Sequence, residues 1–277
     1  MTTPNTARTY GTQRRQFQAW CTERGVEPSP CTAETFTGYI DYLINERRMS
    51  PSTVELAWYA IRTWQPHGHW FETATARELW DRWKMEWAAS GRGKPKTVPI
   101  TEEGLRAMLA TCQDDPAGLR DGCLITLAWG TAILRSELAR CMVDSVGLMD
   151  AGVRLQMPGA QTSVLVRDSQ DPVTSVVRFT AGWLAHLRRN GRHDGFLFPR
   201  WDRWGNLSEK ALTEQTLHRV VCERAEAAGL DTSGISFTSL RVGRATGRDT
   251  VAFSEPDVET FGRWQPPAFE VLYRPHA

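Results

Sequence analysis

The chain closes on FGRWQPPAFEVLYRPHA, residues 261–277, in which Trp264 is followed nine positions later by Tyr273. A tyrosine hydroxyl attacks well only when nearby groups activate it and cations hold the charge that develops in the transition state. Arginines suited to that task stand upstream, Arg241 and Arg244 in the stretch FTSLRVGRAT. The competing reading is structural. Trp264 and Tyr273 would then be ordinary aromatics filling a core, and Arg241 would be buried against Glu137 or backbone carbonyls. The choice depends on what the rest of the chain provides.

Little else offers chemistry. The six cysteines, Cys21, Cys31, Cys112, Cys123, Cys141 and Cys222, are scattered, no Cys-x-x-Cys occurs, and the six histidines do not cluster with them. Neither a metal site nor a disulfide framework is expected; buried, reduced thiols of a cytoplasmic protein fit better. The 277 residues, 41% hydrophobic and 23% charged, have room for one large domain or two modest ones. No apolar run approaches the roughly 18 residues of a transmembrane span. The opening MTTPNTARTY lacks the apolar core of a signal peptide, so no membrane partner is expected. A net charge of +1 leaves nucleic acid open, because a mixed surface can still present one basic face. The twelve tryptophans read as large core side chains.

Helical periodicity dominates residues 1–93. Residues 6–24 place Tyr10, Phe17, Trp20 and Cys21 at helical spacings with Arg8, Arg14 and Arg15 around them, and Gly25 and Pro28 end the run. A second helix is predicted over 33–46. A third starts at Ser50-Pro51 and runs to about residue 64; a fourth, over 75–89, carries Leu79, Trp80, Trp83 and Trp87 on one face. GRGKPKTVPI then interrupts the pattern with two glycines, two prolines and the basic residues Arg92, Lys94 and Lys96. It reads as a linker able to lie along a phosphate backbone, with domains of 1–93 and 94–277 on either side. The second domain opens on helices at TEEGLRAMLATC and LRDGCLITLAWGTA, with helix continuing over 135–142. The period then changes: VRLQM, SVLVRD and SVVRF alternate like strands of a small antiparallel sheet. Helices return over 180–189 and 213–228, and WDRWGN, residues 201–206, reads as a surface loop. The expected fold class is mainly α with a small antiparallel β-sheet.

This layout resembles the tyrosine recombinases, or phage integrases, and four stretches carry the likeness in the family's order. SPSTVELAWYAIRTWQPH resembles part of their N-terminal, SAM-like core-binding domain. LRDGCLITLAWGTAILRSELARCMVDSV resembles the segment with their first catalytic arginine. FTSLRVGRAT resembles their His-x-x-Arg box, and FGRWQPPAFEVLY matches their His/Trp-to-Tyr spacing. The resemblance spans nearly the whole chain. It implies a helical core-binding domain followed by a catalytic-type domain, double-stranded DNA as partner, and neither metal nor cofactor. It also implies a tyrosine that attacks a phosphodiester to form a covalent phosphotyrosine. Two arginines then neutralise the phosphoryl oxygens, a lysine on the small sheet protonates the leaving 5′ oxygen, and histidines, one often replaced by Trp, assist.

Position by position, the implied machinery is incomplete. The family typically reads Thr-Gly-Leu-Arg-x-Ser-Glu-Leu; here the ungapped match is Thr131-Ala132-Ile133-Leu134-Arg135-Ser136-Glu137-Leu138. Leu134 occupies the arginine position. Arg135 comes one residue late, a rotation of about 100° on a helix. No lysine lies between Lys96 and Lys210, so the sheet lysine is missing and Gln161 stands near its hairpin position. Thr238 occupies the histidine position, while Glu137, Arg241, Trp264 and Tyr273 are retained. Loss of a phosphoryl-binding arginine costs on the order of 10³ or more in rate, and loss of the general acid roughly 10²–10⁴.

By family position, Arg8, Arg14, Arg15, Arg92, Lys94, Lys96, Arg241 and Arg244 are candidate DNA contacts; solvated helix and linker charges are the plainer reading. Three functions stay open. The first is a DNA-binding protein that has lost strand exchange and acts by occupancy, as a repressor or accessory factor of a phage or mobile element. The second is a working integrase that uses Tyr273 in an atypical site. The third is a protein-interaction module. Only RPHA follows Tyr273, too little to exchange between protomers, so a monomer or loose dimer is expected rather than a tetrameric synapse.

Overall fold

The computed structural model describes residues 4–69, 71, 73–92, 97–159, 162–202 and 204–246. The chain divides into two compact units, Met1–Lys94 and Pro95–Ala277. Tyr273, Trp264, Lys94, Lys96 and Gln161 lie outside the described residues.

The first unit is helical: α1 (Pro4–Arg24), α2 (Ala33–Asp41) running into a π-type turn (Tyr42–Glu46), α3 (Pro51–Arg62) and α4 (Ala74–Ala89). Side-chain caps set two of the starts. Thr32 Oγ1 accepts from the Thr35 N–H at 3.2 Å, and Ser50 Oγ from the Thr53 N–H at 3.3 Å, with Pro51 in the first turn, where a missing N–H is no loss. Aromatic rings make the core. Phe17 lies 4.9 Å from Tyr39 and Phe36 stands edge-on to Trp58 at 4.8 Å, the tilted geometries that ring quadrupoles favour. The indole N–H groups of Trp80 and Trp83 donate to the Pro51 and Met49 carbonyls, so two polar atoms that α4 buries are satisfied by the start of α3.

The second unit begins with α5 (Glu102–Ala110) and α6 (Pro116–Thr131), capped by Thr101 and Asp115. Nearly every side of α6 is buried, which explains its run of apolar residues. It packs on α8 (Val176–Arg189) so closely that a Cβ on Gly122 would sit 2.2 Å from the Phe179 ring. Between them come the short α7 (Arg135–Leu138) and three antiparallel strands in sequential order, β1 (Val146–Met149), β2 (Gly152–Gln156) and β3 (Ser163–Arg167). Val146 pairs with Leu155, Gly152 with Arg167 and Gln156 with Ser163. Val153, Leu155, Val164 and Val166 point inward, as the period of two demands. A second hairpin, β4 (Pro199–Trp201) with β5 (Leu207–Ala211), leads to α9 (Glu214–Ala227) and α10 (Phe237–Thr246). Asp121, buried on α6, accepts from Arg120 and from Arg224 of α9, a buried charge held by two partners.

Several expectations need correction. SVVRF is not a strand: Ser175 Oγ accepts from the Arg178 N–H at 3.0 Å and starts α8, so the valines occupy a first helical turn. The third strand is instead the more exposed β1. The helix expected over 135–142 stops at Leu138, and Met142 pairs with Phe196 as an isolated bridge. The stretch read as a surface loop joins β4 to β5, with Trp201 in the strand and Asp202 and Trp204–Asn206 exposed at the turn. Five of the six cysteines are buried, Cys222 is half-buried, and all are free. Burial pushes the Cys123 thiol up to about 12, far from nucleophilic use. No described helix is long and apolar enough to cross a membrane.

Candidate functional site

The residues matched to the family's first arginine box lie at the corner between α6 and α7. Helix α6 ends on Ala132, whose φ of 48° is left-handed, and Leu134 follows in extended conformation. Glu137 is 4% exposed, and its Oε2 accepts from the Leu134 N–H at 3.1 Å, so it caps the helix it belongs to. The Leu134 side chain is 41% exposed. Arg135 turns to α9, where its Nε lies 3.5 Å from Glu214 Oε2.

Helix α10 supplies the second box. Thr238 is exposed, while Arg241 and Arg244 are 6% and 8% exposed. On a different side of the helix, a Cβ on Gly243 would lie 1.8 Å from the Ile100 carbonyl oxygen, so α10 rests directly on backbone there. Arg244, expected on an exposed basic face, is inside. Burial pulls its guanidinium below the ordinary arginine range, with Glu102 opposing. Helix α9 packs against both α7 and α10. From it His218 reaches the start of α10, its Nδ1 accepting from the Phe237 N–H at 3.3 Å. Burial, and then the charge of Arg135, hold this imidazole below its ordinary range. Sequence reasoning missed His218 because nothing in its spacing ties it to Thr238, twenty residues away; only the packing of α9 does.

The first unit's candidates divide. Arg8, Arg15 and Arg92 are exposed. Arg14 is half-buried: its Nε donates to the Ala60 carbonyl at 3.0 Å and its Nη2 to Thr63 Oγ1 at 3.3 Å. It satisfies an orphan carbonyl at the end of α3 rather than standing on an open basic face. Among the described residues, no three His, Cys, Asp or Glu side chains gather in a way that could hold a metal ion.

This arrangement, a helical unit followed by a mainly helical unit with small antiparallel sheets and an α7–α9–α10 corner, defines the tyrosine-recombinase fold. The XerH site-specific recombinase bound to difH in a pre-cleavage complex superposes with a TM-score of 0.57 at 12% identity, over 88% of this chain and 67% of that one. A lambda integrase tetramer bound to a Holliday junction gives 0.54 at 12% identity, over 96% and 73%. In sequence, the chain is 26% identical over 257 residues to an integrase/recombinase xerD homolog of Selenomonas ruminantium, covering 87% of this chain and 73% of that protein. It is 28% identical over 162 residues to tyrosine recombinase XerD of Pseudomonas aeruginosa, a match spanning 56% of this chain and 49% of that protein. No family model matches. Fold and sequence likeness together support a tyrosine recombinase/integrase relationship for this chain.

Proposed function

We propose that this protein binds double-stranded DNA through the family's two-domain layout, with its domains at 1–93 and 94–277, and acts by occupancy without exchanging strands. A repressor or an accessory architectural factor of a phage or mobile element would work in this way. DNA as partner is supported by the similar solved structures, which are complexes with difH and with a Holliday junction.

The observation that carries the loss of catalysis is the α6–α7 corner. The family's glycine falls on Ala132, the residue in the left-handed conformation that glycine accepts without strain. That coincidence supports the ungapped register and puts the half-exposed Leu134, not Arg135, at the arginine position. Arg135 is committed to Glu214. With Thr238 at the histidine position and no lysine on the sheet, Arg241 is left to hold the phosphoryl charge alone. Arg241, Glu137, Trp264 and Tyr273 are then remnants of the site.

A DNA substrate nicked near the bound site tests this, because it traps any protein that attacks through tyrosine. The expected result is tight binding, no covalent adduct, and equal affinity for wild type and Tyr273→Phe. A denaturant-resistant protein–DNA adduct that disappears in Tyr273→Phe would instead establish a working integrase.

A further inference from the structure

The hairpin between β4 and β5 is unaccounted for by the site above. Trp201, where β4 meets the turn, is half-buried against the core: its ring stands edge-on to Trp183 at 5.9 Å, and the Arg120 guanidinium lies 4.5 Å above it. Trp204, at the tip, is 68% exposed. The tip is held in one shape by Asp202, whose Oδ1 accepts from the Trp204 and Asn206 N–H groups at 2.8 and 3.0 Å while its Oδ2 accepts from Asn206 Nδ2.

Its surroundings are basic. The last turn of α8 packs beside the hairpin, with His186 against Trp201 and Arg192 Nη2 donating to the Leu207 carbonyl at 2.8 Å. Arg188 and Arg189 of that turn, Arg200 of β4 and Lys210 of β5 are all exposed. Of the acids nearby, Asp202 is engaged in the turn and Glu209 is paired with Arg192, which leaves Asp194. Cations around a rigid aromatic suit a sugar–phosphate backbone: the cations meet phosphates, and the ring packs on sugar or base. The position fits too. Ala211 at the end of the hairpin is three residues from Glu214, the partner of Arg135, a chain distance of at most about 11 Å.

We propose that this hairpin, with Trp204 at its tip and Arg200 and Lys210 on its strands, together with Arg188 and Arg189 in the adjoining last turn of α8, is a second DNA-contacting surface that grips the duplex beside the site described above. The proposal rests on the DNA-binding function proposed above. It is tested on the full chain by fluorescence anisotropy with a labelled mixed-sequence duplex several turns long, over a salt series. Arg188→Ala with Arg189→Ala should lower the slope of log affinity against log salt by about two. Trp204→Ala should weaken binding about tenfold with the slope unchanged, because the indole carries no charge. Both variants alter exposed residues, and circular dichroism checks their folding. If the wild type binds and both variants match it in affinity and slope, the hairpin is not a DNA surface, although the general reading survives. If the wild type ignores the duplex at every salt concentration, the DNA reading fails and this proposal falls with it.

Discussion

The α6–α7 corner and helix α10 carry the two stretches matched to the family's arginine boxes, and they are built differently. At the corner the backbone device persists: a left-handed residue at Ala132, an extended Leu134 and a Glu137 side chain returning to cap it. On the ungapped register proposed above, the arginine position there is the half-exposed Leu134. In α10 the matched residue is Arg241, buried on a helix that touches the Ile100 backbone. The difference separates two constraints. A corner is held by its own hydrogen bonds, so the outward-facing side chain can change without disturbing the fold. A helix seated on backbone has no such freedom, because a larger side chain on the seated face must move the whole helix.

If that distinction is right, α10 should be the least tolerant place in the site. Gly243→Ala should destabilise the protein by about 3 kcal/mol, because the new methyl can be seated only by moving α10 off Ile100. Thr238→Ala on the exposed face of the same helix should stay within about 0.5 kcal/mol of wild type. Urea denaturation of the two variants measures both. Equal losses would mean that α10 is loosely seated.

The corner makes its own prediction about sign. Ala132→Gly relieves a left-handed alanine, worth about 1–2 kcal/mol, against a lost methyl of about 0.8 kcal/mol and the greater unfolded-state freedom of glycine. The outcome should be neutral or a gain of about 0.5 kcal/mol. Ala128→Gly, four residues earlier and inside α6, should instead cost about 2 kcal/mol, from helix propensity and the same methyl together. If both substitutions destabilise alike, the strain at Ala132 is not real, and the register that places Leu134 at the arginine position loses its support.

Much of this was legible in the sequence because the signals were local. Ser50-Pro51 announces a helix start by side-chain chemistry that acts within three residues, and the spacing of Trp80, Trp83 and Trp87 shows one face of α4. SVVRF was misread because two adjacent β-branched residues suit either a strand or a first helical turn, and the Ser175 cap decides between them. The turn at WDRWGN looked like a loop because two tryptophans among charges have no clear period; what orders it is Asp202 below and the α8 surface beneath Trp201. At the site, residue types and spacing could be read directly. The inward position of Arg244, the attachment of Arg14 to Ala60 and the approach of His218 to α10 depend on helices distant in sequence, and no local pattern encodes them.

The proposed register can be tested by placing a cation at Leu134. Leu134→Arg places a guanidinium where the family's arginine is expected, on a half-exposed position that accepts a charged side chain. One added phosphate contact should steepen the salt slope by about one and raise affinity about tenfold at 0.1 M salt. Arg135→Ala, which removes a residue already paired with Glu214, should change the slope little. The reverse pattern, with no gain from Leu134→Arg and a lost contact in Arg135→Ala, would move the arginine position by one residue and return catalysis to consideration.

The smallest expected effect tests where Arg135 points. His218 is held below its ordinary range by burial first and by Arg135 second, and the other polar groups against it are Cys222 and the Phe237 N–H. Its folded value is depressed, so the unfolded chain takes up the proton more readily. The stability that neutral His218 contributes is complete above the ordinary imidazole value near 6.5 and declines as the pH falls below it. Thermal midpoints at about pH 8 and about pH 5.5 should therefore separate more in wild type than in His218→Gln, which keeps an acceptor for the Phe237 N–H but cannot titrate there; the difference should be about 1–2 °C. Arg135→Ala should fall between the two, because the burial contribution survives while the charge contribution is lost. Should Arg135→Ala match wild type, the guanidinium does not act on α9 at all and is available to a phosphate. Such a result would weaken the contrast between the corner and the helix more directly than any loss of stability.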